Sequence, residues 1–223
     1  FIDRAKEIKA PIIFAEGQIH FRSTQRNDKG WEFDSPEFPH LFGELSGLCQ
    51  EKNAATVLTA VGQLRNLGYN ISHQSVYDAF AHVTSLTGLM GRWQQLESSP
   101  RLICDTGHNT GGIQYIVRQL QNESYQNLRI IIGMVNDKDI TGVLAMLPQN
   151  AVYYFTRASR PRALPEERLY ELAIKAGLTG KCYPSVQQAV EAAKKESRPD
   201  DLIFVGGSTF IVADLLKTML SQQ

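Results

Sequence analysis

From about residue 92 to the end of the chain, short apolar runs alternate with segments whose apolar residues recur at helical spacing. No other feature restricts the fold as much. Residues 102–104, a buried run, and 128–135, 151–155, 181–183 and 202–205 read as strands. Between and after them, helix faces are marked by Ile113, Ile116, Val117 and Leu120, by Ile140, Val143, Leu144 and Leu147, by Leu169, Leu172 and Ala173, by Val186, Ala189, Val190 and Ala193, and by Ile211, Val212, Leu215 and Leu216. Pro165 suits a first helical turn, and Ser185 with Gln188 forms a candidate capping box. Strands alternating with helices predict an α/β fold, a Rossmann-like, doubly wound and mostly parallel sheet.

The first part of the chain reads differently. Residues 1–10 look like the end of a helix and residues 11–15 like a strand. The stretch to about Gly43 is strand-rich and irregular, with a turn at Asn27-Asp28-Lys29-Gly30 and alternation from Trp31 to Phe33. Two helices follow. Ala54, Val57, Leu58, Val61 and Leu64 mark the first, with Gly68 as its stop; Ser72 caps the second, which carries Val76, Ala79, Phe80, Val83 and Leu86. Gly88 and Gly91 bracket a linker, so domains are expected over 1–89 and 90–223. The chain opens at Phe1 without an initiator methionine, as expected of a piece of a longer protein cut inside a domain.

The formal net charge over 223 residues is zero, which gives no reason to expect a nucleic-acid or membrane-surface partner. Three isolated cysteines, Cys49, Cys104 and Cys182, form neither a disulfide framework nor a zinc motif. A reducing cytoplasm is the expected setting. Neither a membrane span nor a signal peptide is visible.

The chemistry concentrates where strands give way to helices. In R101-LICD-TGHN-TGG112 an apolar run ends in Asp105, followed by a glycine turn, His108, Asn109 and a helix. Open α/β sheets bind ligands at that edge, and helix N-termini favour anions. Asp105 suits ribose hydroxyls, or equally serves as a turn carboxylate or cap. His108 is a substrate contact or a structural loop histidine, and Asn109 needs no role beyond capping. A second such junction is Gly206-Gly207-Ser208, where the serine is an anion contact or a simple cap. Arg92 at the linker reaches a phosphate or is merely solvated. Asp137-Lys138-Asp139 and the cluster Arg157, Arg160 and Arg162 occupy loops after strands; the arginines meet an acidic substrate or stay solvated. Neither GxGxxG nor GxxxxGK[ST] occurs, so a nicotinamide dehydrogenase is poorly supported and any ATP phosphate cradle lies elsewhere.

Gly91-Arg92, Asp105-Thr-Gly-His108-Asn109, Asp137-Lys138-Asp139 and Gly207-Ser208, in this order, resemble the C-terminal domain of folylpolyglutamate synthase/dihydrofolate synthase, of the Mur ligase superfamily. Gln50 and Asn53 in CQEKNAATVL resemble that family's Gln-x-x-Asn helix, which implies that residues 1–89 are the last part of a central ATP-binding domain. The sequence departs from the family at Thr106-Gly107, where Gly-Ala is more usual, at Thr110, where Pro is common, and at Cys49, where His is frequent.

The resemblance implies an ATP-dependent carbon–nitrogen ligase. It forms an acyl phosphate on a pterin substrate's carboxylate and adds L-glutamate to dihydropteroate, tetrahydrofolate or both. It implies ATP contacts from Arg92, Asp105 (ribose), Asn53 and Gln50 (adenine side), and glutamate contacts from His108 and Ser208. Mg2+ accompanies ATP, with ligands mainly outside this chain, and no metal ligand is assigned within it. Lys138 receives no role. The expected partners are therefore small molecules (a folate or dihydropteroate, L-glutamate and ATP), acting on a monomer. Without the phosphate loop the chain alone is expected to be inactive. Peptidoglycan Mur ligases share this plan, and a non-catalytic nucleotide- or amino-acid-binding α/β module is the alternative of a different class.

Overall fold

In the computed structural model, residues 1–19, 21–136 and 139–220 are described. The chain divides into two compact units, Phe1–Gly88 and Leu89–Gln223.

The first unit begins with α1 (Ile2–Glu7) and continues through a three-stranded antiparallel sheet, β1 (Ser23–Asn27), β2 (Gly30–Asp34) and β3 (Leu41–Gly43). The Asn27 side chain shapes the β1–β2 turn by accepting from the Lys29 N–H at 2.8 Å. Two helices and a short helical turn follow: α2 (Gln50–Asn66), α3 (His73–Ala81) and α4 (Val83–Thr87). Trp31, Phe33, Phe38, Leu41, Ala54, Leu58 and Val76 form this unit's core.

Two expectations need correction here. Residues 11–15 form no strand: no ladder partner meets them, and Ile12, Ile13 and Phe14 are exposed. The helix expected to run from Ser72 past Leu86 is broken at His82, whose backbone leaves helical geometry (φ −134°, ψ 32°). Ser72 does cap it, accepting from the Ser75 N–H.

The second unit contains β4 (Gln94–Ser98), β5 (Arg101–Cys104), α5 (Thr110–Gln121), β6 (Leu128–Ile132), α6 (Ile140–Met146), β7 (Val152–Thr156), α7 (Glu166–Lys175), β8 (Gly180–Tyr183), α8 (Val186–Glu196), β9 (Leu202–Gly206) and α9 (Thr209–Leu220). Its six-stranded sheet has the order β4-β5-β9-β6-β7-β8. Every pair is parallel except β4–β5, an antiparallel edge that the apolar pattern did not reveal. β6 ends at Ile132, three residues short of the apolar run, which turns away from the ladder at Gly133.

Alternation explains why the strands read as continuous apolar runs. Ile103, Ile130, Ile132, Tyr153, Phe155 and Phe204 point to the face covered by α5, α6 and α7. Leu102, Cys104, Ile131, Tyr154, Ile203 and Val205 point to the face covered by α8 and α9. A strand buried on both faces has no polar side to show.

One ion network pins the opposite, amino-terminal end of the sheet. Asp201 accepts from the N–H of Asn127 (3.1 Å), the Asn127 amide (2.8 Å), Arg129 Nε (3.3 Å) and the N–H of Arg198 (3.1 Å). Burial pushes its carboxyl up, but the Arg198 N–H, Asn127 and Arg129 outweigh that and hold it below its ordinary 3.8. Replacing Asp201 by alanine leaves the Asn127 and Arg198 N–H groups without their acceptor and takes one of two carboxylates from Arg129, which keeps Tyr154 and Glu196, and is expected to cost about 3 kcal/mol at neutral pH. Because the folded-state pKa is lowered, this stabilisation is present above 3.8 and is lost as pH falls through the folded value. Urea unfolding at pH 7 and pH 3 checks it: the gap between wild type and Asp201→Ala narrows in acid.

Candidate functional site

The strand order sets up a ligand crevice. β5 and β9 lie side by side and parallel, yet β5 leads into α5 on one face and β9 into α9 on the other. Chains diverging to opposite faces leave a gap at the carboxyl ends of the strands, the usual ligand position in such sheets. Asp105 to Asn109 follow β5, and Gly207-Ser208 follow β9.

The loop before β4 is folded tightly against this edge. Gly91 has φ +73°, and a Cβ there would lie 2.7 Å from Val212 Cγ1 and 2.9 Å from Thr106 Cγ2, so only glycine fits. Trp93 has φ +48°, a conformation that costs a non-glycine residue about 1 kcal/mol. Two contacts offset that cost: its N–H donates to Asp105 Oδ2 at 2.7 Å, and its indole stacks on Phe204 with ring centroids 5.9 Å apart. Backbone strain of this kind collects at functional sites, and Arg92 lies between the two left-handed residues.

Arg92 is held through Nη1, which donates to Thr106 Oγ1 and, at 3.3 Å, to the Gly91 carbonyl. Its Nε and Nη2 have no hydrogen-bond partner among the described residues. A guanidinium fixed at one corner presents its other donors as a fork suited to phosphate.

Asp105 has both oxygens engaged: Oδ2 by the Trp93 N–H and Oδ1 by the Gly107 N–H at 2.7 Å. The turn-carboxylate role is therefore real, and each oxygen retains a lone pair for a further donor. Burial pushes the carboxyl above its ordinary 3.8, partly countered by the Gly107 and Trp93 N–H groups and by the Arg92 guanidinium. The neighbouring Cys104 thiol is pushed up to about 12 by burial and the Asp105 charge, which makes it an inert core group.

His108 Nδ1 lies 3.0 Å from the Thr106 carbonyl. A carbonyl only accepts, so Nδ1 carries the proton, and in the neutral ring the Nε2 lone pair is available. Asn109 caps α5, accepting from the Gly112 N–H at 2.8 Å, and needs no further role. Ser208 is buried, and its Oγ accepts from the Phe210 N–H at 3.2 Å in the first turn of α9.

Arg92, Asp105 and His108 are thus drawn into one hydrogen-bonded loop, with Ser208 at the adjoining strand end. Thr106, which joins two of them, stands out in the sequence only as a departure from the family pattern, with no sign of these contacts. Gln50 and Asn53 lie together in the first unit: Gln50 Oε1 accepts from Asn53 Nδ2 at 3.0 Å on the first turn of α2.

Arg157 Nε pairs with the buried Glu166 at 3.3 Å, the Arg160 N–H bonds the Ala158 carbonyl at 2.8 Å, and the Arg162 carbonyl accepts from the Asn136 N–H at 3.3 Å. Asp139 caps α6 through the Gly142 N–H, while Asp137 and Lys138 lie outside the described residues. Among the described residues no three His, Cys, Asp or Glu side chains cluster in the way that would hold a metal ion. No helix among them is long and apolar enough to cross a membrane.

Residues 91–209 match the family described as "Mur ligase, glutamate ligase domain". The dihydrofolate synthase/folylpolyglutamate synthase of Escherichia coli K12 is 31% identical over 206 residues, covering 87% of this chain and 46% of that protein. The folylpolyglutamate synthase of Lacticaseibacillus casei is 26% identical, covering 79% of this chain and 40% of that protein. The chain thus spans less than half the length of either relative. Among solved structures, E. coli FolC in complex with ADP, without folate substrate, superposes with a TM-score of 0.77 at 28% identity, over 99% of this chain and 51% of that one. Mycobacterium tuberculosis folylpolyglutamate synthase complexed with ADP superposes with a TM-score of 0.83, over 100% and 52% of the two chains. At 20% identity, that likeness speaks to the fold alone.

Proposed function

The chain belongs to the Mur ligase family through its glutamate ligase domain, and we propose that it is the later part of an ATP-dependent ligase that joins L-glutamate to dihydropteroate, tetrahydrofolate or both. The observation that carries this reading is the loop network of Arg92, Asp105 and His108 at the carboxyl edge of β5, inside the stretch that matches the family. Residues 1–89 then belong to the central ATP-binding domain, and residues 90–223 form the ligase domain.

In the reaction, the γ-phosphoryl group of ATP passes to the pterin substrate's carboxylate, giving an acyl phosphate and ADP. The amino group of glutamate attacks the acyl carbon, loses a proton, and inorganic phosphate leaves. Arg92 offers its free guanidinium donors to ATP phosphate oxygens, where charge moves during transfer. Asp105 accepts from the ribose hydroxyls, and Gln50 and Asn53 meet the adenine side. His108 and Ser208 hold glutamate, the imidazole beside the substrate and the serine at the start of α9, whose N-terminus favours a carboxylate. Magnesium and the phosphate loop come from the part of the ligase outside this chain, so the chain alone turns nothing over. The enzyme works as a cytoplasmic monomer.

The test uses the whole protein that carries this chain, supplied with ATP, L-glutamate and one acceptor at a time. Phosphate release is expected with dihydropteroate or tetrahydrofolate and not with a nucleotide-linked muramoyl acceptor. Turnover of the muramoyl acceptor instead would make the protein a peptidoglycan ligase of the same family.

A further inference from the structure

We propose, building on the roles given above to Arg92 and His108, that Thr106 is a positioning residue that holds both side chains at once. Three of its polar groups are committed within the loop. Its N–H donates to the Gly91 carbonyl at 3.0 Å, its hydroxyl accepts from Arg92 Nη1, and its carbonyl accepts from His108 Nδ1 at 3.0 Å. The residue is 8% exposed, so water competes poorly for these bonds. Its methyl group sits where a Gly91 side chain would fall, which locks the two loops in register.

The consequences for the two ligand-facing groups differ. For Arg92, the hydroxyl takes one corner of the guanidinium and leaves Nε and Nη2 as the presented edge, which removes rotamer freedom before nucleotide arrives. For His108, the carbonyl fixes the tautomer and leaves Nε2 as the outward atom. The first hold depends on the Thr106 side chain and the second only on its backbone, so substitution separates them.

In the whole protein, Thr106→Val removes the hydroxyl and keeps the shape. It is expected to raise KM for ATP and weaken ADP binding by about tenfold, the loss of one charge-assisted hydrogen bond. KM for glutamate stays unchanged, because the carbonyl that holds His108 remains. Thr106→Ser, which restores the hydroxyl, returns ADP affinity to within about twofold of wild type by the same bookkeeping. ADP titration calorimetry reads the nucleotide arm without turnover, and thermal unfolding confirms that the variants are folded.

The inference is overturned if Thr106→Val leaves ADP affinity unchanged while Arg92→Ala weakens it, for then the hydroxyl does not position the arginine. It is equally overturned if Thr106→Ser behaves like Thr106→Val, for then restoring the hydroxyl does not restore nucleotide binding. If Arg92→Ala itself leaves ADP affinity unchanged, the phosphate role of Arg92 falls first and the positioning role with it.

Discussion

Arg92→Ala in the whole protein is expected to lower kcat/KM for ATP by roughly 10²–10³-fold, the usual effect of removing a preorganised charge from a developing phosphoryl charge. The structure gives three reasons for a large effect. The guanidinium is fixed in advance through Thr106 Oγ1 and the Gly91 carbonyl. The backbone that carries it is locked by left-handed residues on both sides, Gly91 and Trp93. Nothing among the described residues uses its remaining donors, so they are available for ligand. Arg92→Lys recovers only part of the loss, because an ammonium cannot reproduce the fork. The stability of the fold changes little, since the side chain is only partly buried. Steady-state kinetics with ATP varied, alongside an unfolding curve, separates these outcomes. A lost fold would place Arg92 in structure rather than chemistry.

Asp105→Ala is expected to abolish measurable ligation and also to destabilise the second unit by about 3 kcal/mol, because two partly buried N–H groups, of Trp93 and Gly107, lose their acceptor. The alanine variant therefore cannot separate the structural from the nucleotide role. Asp105→Asn is the sharper test, since it keeps an acceptor for one N–H and the size of the side chain. Its pH dependence has a definite sign. Burial raises the Asp105 pKa in the folded state, so the folded protein holds this proton to higher pH than the unfolded chain. Ionisation then costs stability: the wild type is most favoured below the ordinary 3.8 and loses that advantage as pH rises through the raised value. Asparagine carries no such cost. The stability deficit of Asp105→Asn, measured by urea unfolding, is therefore expected to shrink between acid and neutral pH. A site that tolerates an expensive carboxylate at neutral pH has a use for its charge or its lone pairs.

What was legible in the sequence follows from what side chains record. The parallel strands were visible because Ile103, Ile130, Tyr154 and Phe204 and their neighbours are buried on both faces. The edge strand β4 was not. Gln94-Gln95-Leu96-Glu97-Ser98 has one apolar residue, and what makes it a strand is backbone pairing with β5. Residues 11–15 are the opposite case, an apolar run that meets no ladder. At His82 the helix breaks without a glycine or proline to announce it.

Strand order was equally hidden. The last strand, β9, inserts between β5 and β6, and only that insertion brings Gly207-Ser208 beside Asp105. The sequence named Asp105, His108 and Arg92 through residue type and junction. It gave no sign that Thr106, a residue at which this chain departs from the family pattern, ties them together.

In the proposed reaction, ATP cleavage is coupled to glutamylation of a pterin acid. The most direct measurement follows the whole protein with ATP, a dihydropteroate or tetrahydrofolate acceptor and isotopically labelled L-glutamate, scoring phosphate released and product mass together. One labelled glutamyl group joined through an amide is expected for each phosphate released, with neither formed when any one substrate is omitted. Phosphate released in equal amount without glutamate, or without a glutamylated product, would contradict it.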